Sequence, residues 1–225
     1  MSVRHRVSDE LLLDYASGSL GESWSLAVST HLALCPESRQ RLKTLEMAGG
    51  ALLQDIEPAQ SQEISDDQWA QIRKLLKPDA VTRPSGQTAS QSRPQPTGAV
   101  LPEPLRSYAG GDVDALKWKQ LGPGAYHFPI RTRDGEANVR LLRIPAGKPV
   151  PEHTHGGREL TVVLSGYFKD GDDVFRRGDF EEADEDLTHQ PIAGEGEDCI
   201  CLAVTDAPLK FKSWLVRLLQ PVLGI

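Results

Sequence analysis

Apolar positions recur at helical spacing before about residue 77 and, after a polar gap, give way to short apolar runs broken by Gly, Pro and Asp turns. Four helices are expected upstream. Ser8 is a good N-cap for the first, whose apolar face is Leu11, Leu12 and Tyr15 and whose end falls near Gly18. Ser19 and Glu22 have the spacing of a capping box for the second, where Trp24, Ala27, Val28, His31, Leu32 and Cys35 form one stripe. Pro36 suits the first position of a third helix running to about Ile56, with a weak point at Gly49 and Gly50. Ser65 and Gln68 repeat the capping box, which places a fourth helix at about Asp66 to Leu76.

Residues 78–104 are rich in Pro, Ser, Gln and Thr and nearly devoid of apolar side chains before Val100, so they cannot bury enough surface to offset their ordering entropy. They read as a flexible linker between a helical domain, 1–77, and a β-rich domain, 105–225. Each half is therefore expected to fold independently. Strands are expected at Ala137 to Pro145, Glu159 to Leu164, Phe175 to Asp179 and Asp198 to Val204, with others around Trp118 and Tyr126. Their turn-punctuated spacing favours a sandwich or barrel, making the whole chain α+β in two domains. The apolar tail, Phe211 to Leu219, suits packing on the barrel, with an interface as the alternative.

Composition and charge narrow the possible partners. The 225-residue chain carries a formal net charge of −7 and offers no basic face for neutralising phosphates, which argues against direct nucleic-acid binding and for a basic protein partner. No apolar run is long enough for a membrane span, and Met1 to Asp9 lack the apolar stretch of a secretory signal. Three cysteines fit a reducing compartment better than a disulfide framework, so a cytoplasmic location is expected.

The chemistry concentrates in G-x5-H-x-H-x3-E-x6-G, formed by Gly147, His153, His155, Glu159 and Gly166, with His189 thirty residues beyond the glutamate. Two residues apart on a strand, His153 and His155 face the same way with their roots roughly 6–7 Å apart, close enough for two imidazoles to meet one ion. Gly156 and Gly157 suit a tight turn that returns Glu159 to the same point. Nitrogen and carboxylate donors suit zinc, iron, manganese or nickel.

This pattern resembles the first motif of the cupins, and Gly178, the stretch Asp179 to Thr188, and His189 resemble the second, although Asp184, Glu185 and Asp186 stand where the family's Pro-x-Gly turn would lie. The resemblance implies a small jelly-roll-like barrel holding one divalent metal through His153, His155, Glu159 and His189, with zinc favoured. Upstream, His31 and Cys35, together with Arg4, His5, Val7, Ser8 and Asp9, resemble the zinc-binding anti-sigma domain. Helices, linker and cupin in that order are similar to the ChrR-type anti-sigma factors. That likeness implies a non-enzymatic regulator that binds a group IV sigma factor and releases it under oxidative stress such as singlet oxygen or organic hydroperoxide.

Two features depart from the pattern or stand outside it. Ser38 occupies the position of a second cysteine, leaving His5, His31 and Cys35 as the best N-terminal donor set, so tight zinc is not expected there. Cys199 and Cys201 share a strand face and read as buried small side chains, with an oxidant-sensing pair as the alternative. A metal-dependent cupin enzyme such as a dioxygenase is the competing function, with Tyr126, His127 and Arg143 as candidates for the barrel mouth. A homodimer is compatible with the sequence.

Overall fold

The computed structural model describes residues 3–57, 64–76, 98–121, 124–208 and 210–211. The central part of the expected linker and nearly all of the apolar tail lie outside these residues. Among the described residues, five α-helices precede the β-structure: α1 Asp9–Ser17, α2 Glu22–Leu34, α3 Pro36–Asp55, α4 Asp66–Leu76 and the short α5 Leu105–Ala109. Helix α1 begins as its sequence predicts, with the Ser8 side chain accepting from the Leu11 amide, and ends at left-handed Gly18. The capping box at α4 forms reciprocally between Ser65 and Gln68. Gly49 and Gly50 do not interrupt α3. At five residues, α5 is too short to leave a periodic signal.

The box expected at α2 does not form. Ser19 turns back to the Asp14 carbonyl, and Glu22 instead accepts from the Tyr108 hydroxyl and the Arg133 amide. Asp134, far along the chain, accepts from the Ser23 amide at 2.9 Å and its hydroxyl at 2.7 Å and so serves the helix start. A long-range carboxylate has replaced the local cap.

The strands are β1 Lys119–Gln120, β2 Tyr126–Ile130, β3 Asn138–Ile144, β4 His153–Thr154, β5 Glu159–Ser165, β6 Tyr167–Asp170, β7 Asp173–Arg176, β8 Phe180–Ala183, β9 Thr188–His189, β10 Ile192–Ala193, β11 Cys199–Thr205 and β12 Lys210–Phe211. They build a six-stranded sheet in the order β1-β2-β3-β11-β5-β8 and two three-stranded sheets, β10-β6-β7 and β12-β4-β9. The strand expected at Phe175 to Asp179 straddles a turn: β7 ends at Arg176 and β8 starts at Phe180.

Alternation along β5 and β11 assigns their two faces. Leu160, Val162, Leu164, Leu202 and Val204 belong to one apolar layer, whereas Val163, Cys199 and Cys201 pack with Phe168, Phe175 and Ala193 inside the barrel. The outer layer is shared with the helices, since Val7, Leu11, Leu12, Leu26, Ala27, Val28 and Leu32 are buried in it. Leu101, near the end of the expected linker, and Leu105, just beyond it, are fully buried in the same layer. The expectation of two independent halves thus gives way to a common core, because the outer face of the sheet is as apolar as the inner one and has to be covered.

Polar contacts fix this docking. Asp179, 2% exposed, accepts from the amides of Arg4, His5 and Arg176, while Phe180 donates its amide to the His5 carbonyl. Glu182 accepts from the amide and hydroxyl of Ser8. Strand β8 therefore grips the N-terminal segment along its outer edge.

Candidate metal centre

Strands β4 and β9 pair so that His153 lies directly opposite His189, and His155 follows one residue after β4. All three histidines are buried. Their Nε2 atoms converge: His189 lies 3.0 Å from His155 and 3.1 Å from His153. Two of the tautomers are fixed by neighbours, because the Nδ1 of His153 lies 2.8 Å from the Pro151 carbonyl and that of His189 lies 2.8 Å from a carboxylate oxygen of Asp170. Both acceptors require N–H at Nδ1, which leaves bare lone pairs at Nε2 pointing at one another.

Such a contact is repulsive unless a cation sits between the nitrogens. Tetrahedral zinc at about 2.0–2.1 Å from each nitrogen would hold them about 3.3 Å apart, close to the spacing seen. The donor set thus fits a metal, and burial keeps it ready: desolvation lowers His153 and His155 to about 4, so both rings are neutral at pH 7. The His155 Nδ1 is buried without a hydrogen-bond partner.

Glu159 opens β5 and points to the same region from the other side of His155, its carboxylate 3.6 Å from that Nδ1 and hydrogen-bonded by Thr161. The structure therefore gathers the three histidines tightly and sets Glu159 beside them rather than among their converging nitrogens. Burial raises Glu159 to about 7 and Glu181 to about 8. Asp170 and Glu181 form a second acidic group around His189, and neither was apparent in the sequence. Asp170 sits in a Lys-Asp-Gly-Asp-Asp run that reads as a hairpin turn, and Glu181 in an acidic strand edge.

The other candidates are placed differently. Cys199 and Cys201 are buried with their sulfurs 3.5 Å apart, and their contact together with burial pushes the Cys201 thiol well up, away from a reactive thiolate. Arg143 is engaged by Asp198 at 2.7 Å, and Tyr126 lies opposite it on β2. His127 lines a shallow cleft with Pro129, Arg131 and Arg140, formed by the β2–β3 hairpin.

In the helical half, His31 bridges two elements: Nδ1 donates to the Gly178 carbonyl at 2.7 Å and Nε2 accepts from the Ser38 hydroxyl at 2.8 Å. Gly178 has φ of +91° and its Cβ would meet Val3 at 2.8 Å, so only glycine can present that carbonyl. The His5 ring lies on Phe175, 4.2 Å between centroids. Among the described residues, the groups of three close ligand atoms lie in the barrel, and none joins His5, His31 and Cys35. Ser38 thus satisfies His31 by hydrogen bonding where a metal ligand would have served. Ser38→Ala is expected to destabilise the protein by about 1–3 kcal/mol, because it strands a buried acceptor, with chemical denaturation as the measurement. A change below a few tenths of a kcal/mol would show that water replaces the hydroxyl.

Comparison with known proteins finds relatives of both the helical and the β part. A family described as "ChrR Cupin-like domain" matches residues 107–208. The anti-sigma-E factor ChrR of Cereibacter sphaeroides is 44% identical over 225 residues, covering 100% of both chains. Among solved structures, that of Rhodobacter sphaeroides SigE in complex with the anti-sigma ChrR matches with a TM-score of 0.74 and 40% identity, over 91% of this chain and 100% of that chain.

Proposed function

The chain belongs to the ChrR anti-sigma factors, and from that membership we propose that its helical half binds a group IV sigma factor and withholds it from RNA polymerase. The observation that carries this reading is the extent of the match: identity runs through helices and barrel in the same order, so the complete two-part architecture is shared and not the barrel alone. The role is regulatory rather than catalytic.

Surface chemistry supports the same conclusion. Along α3, Met47, Leu52 and Leu53 are 66–70% exposed, Ile56 just beyond it is 65% exposed, and Trp69 and Leu75 of α4 are exposed as well. The shared core does not use these side chains, and they have the character of a helix face that a partner covers. Replacing Leu52 and Leu53 together by Asp is expected to weaken sigma binding at least about tenfold without lowering the melting temperature, since neither is buried. Co-purification and repression of a sigma-dependent promoter measure it. Undiminished binding would remove this face from the interface, and failure of the wild type to bind any sigma factor would remove the function.

We assign the barrel one zinc, held by His153, His155 and His189 with Glu159 as the fourth ligand, and a cytoplasmic location. Neutral imidazoles with a carboxylate suit zinc, and the ion contributes a closed structural site rather than redox chemistry. The units proposed are 1–77 for sigma binding, 78–104 as the connection and 105–225 for sensing oxidative stress. No helix among the described residues is long and apolar enough to cross a membrane.

A further inference from the structure

We propose that Asp170 is the positioning residue of the metal centre, holding His189 in the ring orientation and tautomer that bind the ion. The proposal rests on the reading that the three histidines hold a metal. It begins from an anomaly in the β6–β7 hairpin. Asp170 pairs with Asp173 across a turn through Gly171, where an aspartate ordinarily bonds to its own backbone a residue or two on. Here the carboxylate leaves the turn and reaches His189, nineteen residues along the chain, at 2.8 Å.

The three rings are held unequally. His153 is anchored by a main-chain carbonyl, which no side-chain substitution removes. His155 has no hydrogen-bond partner at Nδ1. His189 depends on the Asp170 side chain, because Glu181, the other carboxylate near that nitrogen, is 3.9 Å away and too far for a hydrogen bond. His189 is also the ring whose Nε2 touches both others. A carboxylate behind a ligating imidazole fixes Nδ1–H, aims Nε2 and makes it a stronger donor, and its loss typically weakens metal binding about 10–100-fold. Asp170 thus acts through His189, at the ring the other two share.

Zinc affinity of the full chain, measured by competition with a fluorescent chelator, tests this. Asp170→Ala is expected to weaken binding about 10–100-fold, and Asp170→Asn, whose amide oxygen still accepts, to recover part of the loss. Asp172→Ala, in the same turn but exposed, should bind as the wild type does. Nitrogen NMR of the zinc-loaded protein should show His189 protonated at Nδ1 and bonded in the wild type, and that signature should vanish in Asp170→Ala. Wild-type affinity in Asp170→Ala overturns the proposal, as does an equal loss in Asp172→Ala, which would mark a general weakening of the hairpin. Two zinc ions per chain, one of them lost in Asp170→Ala, would make Asp170 a ligand and overturn it too. Absence of zinc binding by the wild type would instead sink the metal reading on which it stands.

Discussion

With His153 and His155 both replaced by alanine, the protein is expected to purify without metal, against one ion per chain for the wild type. The change removes two of the three Nε2 donors that the β4–β9 pairing brings together. If a structural zinc is worth about 10–16 kcal/mol spread over four ligands, losing two costs on the order of 5 kcal/mol or more, roughly four orders of magnitude in affinity. Elemental analysis after purification without added metal reads the result, and stoichiometric metal in the double variant would refute the site. The same variant tests the division of labour, since it should still repress a sigma-dependent promoter, its helical surface being untouched, but should no longer be released by oxidant.

The second large effect lies in the shared core. Phe180→Ala is expected to destabilise the protein by about 3–5 kcal/mol, because Phe180 is 3% exposed, belongs to the layer between sheet and helices, and meets the edge of the His31 ring at 5.3 Å between centroids. Both halves should melt earlier and together. Calorimetry alongside far-ultraviolet circular dichroism, which follows the helices, would show a single transition in wild type and variant. A helical half that melts separately, at a temperature Phe180→Ala leaves unchanged, would restore the picture of two independent units.

That picture came from the sequence for a physical reason. Residues 78–97 carry a linker composition, and nothing local in them tells what the flanking segments do. The evidence for docking lay elsewhere, in β11, which is apolar on both faces as far as Val204, and in β5, which sets Leu160, Val162 and Leu164 on the face opposite Glu159 and Thr161. A barrel with its outer face in water would alternate, so Leu160, Val162, Leu202 and Val204 already called for a cover. Helix starts at Ser8 and Ser65 were legible because their caps are local, whereas the start of α2 was not, because Asp134 is more than a hundred residues away. The approach of His153 to His155 could be read from period-two spacing, whereas His189 joined them only through the likeness to the second cupin motif, its place opposite His153 being set by a pairing of two short strands that leave no pattern. Asp170 could not, because a turn aspartate looks the same whether or not it reaches across a barrel.

Strand β8 carries a consequence for how the two halves can influence each other. Its Glu181 faces the histidines, while its neighbours Phe180 and Glu182 hold the N-terminal segment and the helices. One short strand is thus a wall of the three-histidine cluster and a handle on the helical half, so a shift that suits one side is felt by the other. Linkage then runs in both directions: whatever factor the bound ion applies to the affinity for the sigma factor, the bound sigma factor must apply to the affinity for the ion. A captive sigma factor would, to that extent, set the threshold at which its own captor lets go.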